Sequence, residues 1–292
     1  MHERSEVEML PGMIKIVVAL WLGMLLGCNL QANSEYAKAQ LAGHRGESEL
    51  APENTMAAFA LAWKNGEKIV ETDIQLTKDG QVVICHDADT FRTSGNKTKL
   101  VIKDSTLEEI QKVDVGAWKG PRWAGEICPT LKQLYDAMPA GTSCFTEIKS
   151  GIDVVPAFLE IVKALRKGPE QIVVISFHAD ALAASKKALP GYKHYLLANH
   201  KKDKQGQYLA RPNVDEWIAT AKRIGADGLD LQAAAPLDRE ACAKIQNAGL
   251  ELHVWTVDDP AVAKRYLDWG ALSVTTNRPS WMRKELGKFD GK

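Results

Sequence analysis

Eight short runs rich in β-branched and apolar residues recur along the chain, at 40–44, 69–75, 143–149, 172–177, 192–197, 228–232, 250–257 and 272–275. Most are separated by stretches with helical periodicity, among them 55–64, 154–166, 214–224, 238–247 and 260–269. Strand alternating with helix demands a parallel sheet, because a parallel return needs a crossover long enough to hold a helix. Eight such strands close on themselves, so the pattern predicts an α/β fold, a TIM (β/α)8 barrel; an open doubly wound sheet is the alternative. Gly66, Gly168, Gly225, Gly249 and Gly270 follow five of the helices, where a glycine C-cap is expected.

Two stretches depart from the repeat. Lys78-Asp79-Gly80 joins the apolar-rich runs 69–77 and 81–87, and Asp-Gly between such runs reads as a β-hairpin. Residues 88–142 are too long for a simple connection and form a small insertion after strand 2, above the barrel where binding loops sit. Its Trp118 and Trp123 either wall a lipid or headgroup or pack the insertion itself.

Composition sets the partners. With 37 basic and 37 acidic side chains and a pI near 7.0, the chain has no electrostatic reason to bind nucleic acid. An apolar fraction of 45% and a charged fraction of 25% exclude a disordered charged tail, a polytopic membrane protein and a disulfide-dense mini-domain. Cys85, Cys128, Cys144 and Cys242 show neither a CxxC pair nor metal-ligand spacing and read as buried thiols.

Residues 16–27 are an unbroken apolar run behind Lys15. The run is shorter than the ~20 residues needed to span a bilayer but suits a secretory signal. It ends in Leu25-Leu26-Gly27-Cys28, which resembles the lipobox of bacterial lipoproteins, whose Cys is acylated. Cleavage after Leu30-Gln31-Ala32, leaving no anchor, is the alternative. Glu3, Glu6 and Glu8 are unlike a signal n-region, so Met13 is a second candidate start. The expectation is a signal peptide or lipoprotein signal with a short linker over 1–32 and a barrel domain over 40–287. The product is exported to the periplasm or cell envelope, and touches membrane only through a lipid anchor at Cys28.

Charged residues gather at the ends of the predicted strands. Glu71 and Asp73 are two apart in one strand, so they share a face, with their Cα atoms roughly 7 Å apart. Glu147 and Lys149 repeat the arrangement in the next barrel strand. One such carboxylate alone reads as a solvated or salt-bridged strand end. Two carboxylates ~5 Å apart repel by roughly 3 kcal/mol at an effective dielectric of ~20, so three together need protons or a cation. The economical cation is one divalent ion with oxygen ligands, Mg²⁺ or Ca²⁺. His44 and His86 each end a strand beside charged residues, where they suit general acid–base work near neutral pH. Arg45 and Lys149 can hold an anion, and a metal with two such cations suits a phosphoryl centre.

The ordered set His44-Arg45-Gly46, Pro52-Glu53-Asn54-Thr55, Glu71-Thr72-Asp73, Asp79-Gly80, His86-Asp87 and Glu147-Ile148-Lys149 resembles the glycerophosphodiester phosphodiesterase family. The likeness continues through Pro129-Thr130-Leu131, Ser176-Phe177, Val254-Trp255-Thr256-Val257 and Asn277-Arg278-Pro279, covering about residues 41–282. The resemblance implies a TIM barrel with its site at the C-terminal ends of the strands. It implies a metal on Glu71, Asp73 and Glu147, an acid–base pair of His44 and His86, and phosphate contacts from Arg45 and Lys149. Trp255 would wall the substrate pocket, Glu53 would order the first loop and Asn54 would cap the first helix. The reaction implied is metal-dependent hydrolysis of a small-molecule phosphodiester to glycerol 3-phosphate and an alcohol. The nucleophile, water or a neighbouring glycerol hydroxyl, stays open, as does which histidine is the base. Asn277 stands where many members carry Asp and is expected to cap the last strand without chemistry. His178 is a further residue that could reach the same face.

Overall fold

The computed structural model describes residue 36, residues 39–200, residue 204, and residues 214–234 and 236–289. The expected signal, lipobox and Cys28 anchor lie outside these residues.

Eight strands run parallel and close into a barrel: β1 (Gln40–Gly43), β2 (Ile69–Leu76), β4 (Ser143–Ile148), β5 (Ile172–Ser176), β6 (Lys193–Ala198), β7 (Gly228–Gln232), β8 (Glu251–Trp255) and β9 (Ser273–Thr276). Closure comes from β1, which pairs in parallel with both β2 and β9, Gly43 lying opposite Val70 and Thr276. The ninth strand, β3 (Val82–Ile84), turns back antiparallel on β2 with Ile84 opposite Ile74. It is shorter than the run 81–87 because the side chain of Gln75 takes over beyond it, donating to the carbonyls of Cys85 (2.8 Å) and Asp87 (2.5 Å).

Helices α1 (Met56–Lys64), α4 (Val155–Ala164), α5 (Ala179–Ala188), α6 (Val214–Ile224), α7 (Arg239–Asn247), α8 (Pro260–Asp268) and α9 (Pro279–Gly287) follow successive barrel strands and cover the outside. The insertion contributes α2 (Leu107–Ile110) and α3 (Leu131–Ala137). Alternation along each strand divides the residues between two cores. Outward Val70, Ile74, Leu229 and Val274 pack with helical Phe59, Phe158 and Met282, while inward Phe145, Val173, Ile175, Tyr195 and Leu197 fill the barrel. The insertion carries a third cluster around Ile102, Ile110, Val113 and Cys128. The four described cysteines are buried free thiols, and no described helix is long and apolar enough to cross a membrane.

Two local expectations are corrected. Thr55, not Asn54, caps α1, its hydroxyl accepting from the Ala58 amide; the Asn54 side chain is turned inward to the strands instead. Gly66, Gly225, Gly249 and Gly270 do take the left-handed backbone after their helices, but after α4 Arg166 takes it (φ 50°) and Gly168 does not. Trp118 and Trp123 make contacts within the insertion, and Trp118 keeps 40% of its surface exposed. The Trp118 indole donates to the Val115 carbonyl (2.8 Å), and Trp123 lies under the Arg122 guanidinium.

The turn after β1 is the tightest approach of loop to helix near the candidate site. Gly46 has φ +85°, and a Cβ there would lie 2.6 Å from the Ala58 carbonyl carbon in α1. Gly80, at the hairpin turn, also has positive φ but open space around it. Gly80→Ala should therefore cost only the left-handed penalty of about 1–2 kcal/mol. Gly46→Ala should cost distinctly more, read as a larger fall in the urea midpoint. Equal losses would show that the loop yields and that the close packing is unimportant.

Candidate active site

The parity read from the sequence carries Glu71, Asp73 and Glu147 to one place inside the barrel rim. Asp73 and Glu147 are register partners on β2 and β4, and the three side chains offer oxygens within 4.8 Å of one another. All three are nearly excluded from water. Burial, then the charges of Asp73 and Glu147, push the Glu71 carboxyl well above the usual carboxylate range. Burial and Asp73 raise Glu147 to about 8. Burial would raise Asp73 too, but Arg45, His86 and Lys149 outweigh it and hold its carboxyl below the usual value.

Two cations brace the triad. Arg45, in left-handed backbone (φ 55°), donates its amide to Glu71 Oε2 (2.9 Å). Its guanidinium bonds Glu53 (2.7 Å) and brings Nε to 3.3 Å from Asp73 Oδ2. Lys149, one residue past β4, places Nζ 3.0 Å from Glu147 and 3.7 Å from Asp73. Asn54 donates to Asp73 Oδ2 (2.7 Å) and accepts from Thr72 (3.1 Å), which fixes its amide orientation.

The histidines stand on either side. His44 follows β1, its amide still bonded to the Thr276 carbonyl (2.9 Å), and its Nε2 lies 4.0 Å from Glu71. Its Nδ1 meets Asn277 Oδ1 at 2.7 Å, while Asn277 Nδ2 donates to Asp258 (2.6 Å). Asn277 is thus a direct partner of the ring, which corrects its assignment as a mere strand cap. Burial and then Arg45 lower the His44 pKa to about 4. His86 Nδ1 meets Asp87 at 2.6 Å, Asp87 accepts from Arg92 (2.6 Å), and Arg92 grips Glu53 through two bonds of 2.8 Å. The chain of contacts His86–Asp87–Arg92–Glu53–Arg45 links one candidate acid–base group, His86, to one candidate phosphate group, Arg45, through the insertion.

His44, Arg45, Glu71, His86, Glu147, Lys149 and Trp255 all line one cavity of about 220 Å³. The Trp255 indole is held by the Asp230 carbonyl (3.1 Å) and meets Phe177 edge-on. His178 is not in this lining; it contacts the Lys149 carbonyl (3.0 Å) instead. The sequence reading missed Asp87 and Arg92 as partners, Asp258, and Asp230 in the cavity wall. Asp230 left a signal, a lone carboxylate in the apolar run Gly228–Gln232, whereas nothing local marks Arg92.

Residues 44–280 match the model of the glycerophosphoryl diester phosphodiesterase family. The chain belongs to this family. It is 34% identical over 250 residues to a glycerophosphodiester phosphodiesterase of Caldanaerobacter subterraneus subsp. tengcongensis, covering 83% of this chain and 95% of that one. A Bacillus subtilis glycerophosphodiester phosphodiesterase is 30% identical over 258 residues, covering 82% and 84%. Among solved structures, an Oleispira antarctica phosphodiesterase in complex with the product sn-glycerol-3-phosphate superposes with a TM-score of 0.74 at 26% identity, covering 84% and 95%. The chain is therefore a phosphoric diester hydrolase of glycerophosphodiester phosphodiesterase type, acting on a small-molecule substrate.

In this chain Arg92 holds two carboxylates, Asp87 and Glu53. Burial alone would raise Asp87 and Glu53, but the Arg92 bonds prevail in both, and Asp87 is lowered to about 2. Folded values below unfolded ones give a stabilisation complete above about pH 5 and lost as pH falls toward 2. Arg92→Ala should therefore be less stable than wild type at pH 6, with the gap closing as pH drops from 5 to 2. Urea unfolding at stepped pH measures this; a gap independent of pH would show that Arg92 acts by packing alone.

Proposed function

We propose that the chain hydrolyses glycerophosphodiesters to glycerol 3-phosphate and an alcohol, with one divalent cation and two histidines, in the periplasm or cell envelope. The observation that carries this reading is the convergence of three carboxylates between two cavity-facing histidines, with Arg45 and Lys149 beside them. The product named for the Oleispira antarctica relative supports the choice of glycerol 3-phosphate. The location, and an acyl anchor at Cys28, rest on the apolar run and lipobox-like end of the N-terminus.

Glu71, Asp73 and Glu147 fit a hard divalent ion: all three offer oxygen, and burial with mutual repulsion raises Glu71 and Glu147 above the usual carboxylate range even with Arg45 and Lys149 beside them, a strain that a cation relieves. Mg²⁺ or Ca²⁺ bound there would offset negative charge developing on the phosphoryl oxygens. Arg45 and Lys149 add fixed positive charge on the same wall.

The ring partners suggest a division of labour. Asn277 presents its oxygen to His44 Nδ1, so Nδ1 carries the hydrogen and Nε2 keeps its lone pair. A neutral ring with a bare Nε2 is the base, taking the proton of the attacking hydroxyl, whether water or the neighbouring glycerol hydroxyl. His86 is the acid. Its Nδ1 rests on the ionised Asp87, and its Nε2 gives a proton to the departing alcohol as the P–O bond breaks.

An enzyme-coupled glycerol 3-phosphate assay on glycerophosphocholine and glycerophosphoethanolamine tests the proposal. Release should stop with EDTA, return with Mg²⁺ or Ca²⁺, and vanish in Glu147→Ala. His44→Ala and His86→Ala should each lower turnover by about 10²-fold or more. A near-normal rate in either folded variant removes that histidine from the mechanism.

Protonation of Glu71 and Glu147 also sets a pH dependence. Cation binding must displace protons, so affinity should climb from pH 6 to 8 and titration calorimetry in two buffers should show proton release. A pH-independent affinity would place the ion elsewhere.

A further inference from the structure

Glu71 and Asp73 stand on β2; β7 is the strand directly across the barrel from it. In the middle of β7, Asp230 lines the same cavity as His44 and Glu71. Only 1% of the residue is exposed, and its Oδ1 is buried without a hydrogen-bond partner. Its register neighbours do not bond it, although the Nε2 of His253 is itself buried without a hydrogen-bond partner. Leu197 on β6 is apolar, and His253 on β8 has turned its Nδ1 to Ser273 (2.7 Å). The nearby Trp255 indole donates to the backbone carbonyl of Asp230 and leaves the carboxyl untouched. Among the described residues, nothing bonds this carboxyl.

An unpaired polar group shut away from water weakens a fold, and buried ones nearly always have partners. A carboxyl in that state at the wall of a binding cavity has its partner in what enters the cavity. The chemistry of that partner follows from the surroundings. Ile175, Phe177, Leu197 and Trp255 share the lining with Asp230, and Asn199 is the one other polar side chain just past β6, so this wall is largely apolar and carries no formal charge besides Asp230 itself. Burial raises the carboxyl to about 8, so at neutral pH it offers one O–H donor and one carbonyl acceptor. A neutral hydroxyl, itself donor and acceptor, matches both; a quaternary or primary ammonium would need the ionised form. The phosphate end of a substrate belongs with Arg45 and Lys149 on the opposite side. Its organic end then points at Asp230.

Resting on the proposed glycerophosphodiester substrate, we propose that Asp230 determines specificity by bonding a free hydroxyl of the glycerol moiety across the cavity from the phosphate. The residue takes no part in proton transfer. It selects for a hydroxylated three-carbon arm, and it sets the position of that arm relative to His44 and His86.

The test compares two ligands that share the phosphate and the three carbons: glycerol 3-phosphate, and n-propyl phosphate, which lacks both hydroxyls. Titration calorimetry with wild type, with Mg²⁺ or Ca²⁺ present, should give a preference for glycerol 3-phosphate of about tenfold to a hundredfold. Asp230→Leu should reduce that ratio to near one by weakening glycerol 3-phosphate alone. Asp230→Asn, which keeps a donor and an acceptor, should retain most of it. The unliganded Asp230→Leu protein should also melt at a higher temperature than wild type, because an unpaired carboxyl gives way to an apolar side chain.

A ratio unchanged in Asp230→Leu, in a protein whose wild type turns over glycerophosphocholine, overturns this inference and leaves the parent reading standing. Absence of that turnover in wild type overturns the parent reading, and this one with it. A lower melting temperature with equal loss of both phosphates makes Asp230 structural. Selective loss of choline phosphate binding would instead make the wall a headgroup site. Either result overturns the assignment.

Discussion

The repulsion among Glu71, Asp73 and Glu147 is the constraint on which the site is built. Their oxygens share a space of under 5 Å in a water-poor environment, where like charges interact strongly. The chain answers in three ways at once. Arg45 and Lys149 lie against the cluster, Asn54 donates to the one member whose pKa is held below the usual range, and burial and repulsion raise the other two. Each answer explains a local oddity. Arg45 and Asn54 adopt left-handed backbone because both must turn inward from one short loop, and Gly46 lets that loop lie on α1.

The same economy extends outward through the insertion. Glu53 holds Arg45 from one side and Arg92 from the other, and Arg92 in turn holds Asp87 under His86. The two histidines are thereby set by different means. His44 is set by a neutral amide whose orientation is dictated by Asp258, and His86 by a carboxylate whose charge is secured by an arginine. Burial and then Arg45 lower the pKa of the first ring against the pull of its amide partner, whereas the second ring rests on a carboxylate.

The barrel and its carboxylate cluster were legible because both express a period. Alternation of two put Glu71, Asp73, Glu147 and Lys149 on inward faces, and strand–helix alternation put those faces in one ring. What escaped depends on contacts between residues distant in sequence. Asn277 reads as a cap until the closing of the barrel sets it beside His44, some 230 residues earlier. Arg92 sits in an insertion with no periodicity and is meaningful only through Glu53 and Asp87. Asn54 and Thr55 are both good caps, and only the pull of Asp73 on Asn54 decides between them. Arg166 in place of Gly168 shows the same limit, since either residue can end a helix at some cost.

The joint between β1 and β9 carries more than the closing ladder. Thr276 bonds the His44 amide, Asn277 bonds its ring, and the Glu49 amide returns to the Asn277 carbonyl. The partner that orients the first histidine is thus among the last parts of the barrel to be synthesised. A growing chain possesses its acidic cluster and both imidazoles long before it possesses the amide that orients the first of them. Closing of the barrel and orientation of the His44 ring are, in this architecture, joined through one contact.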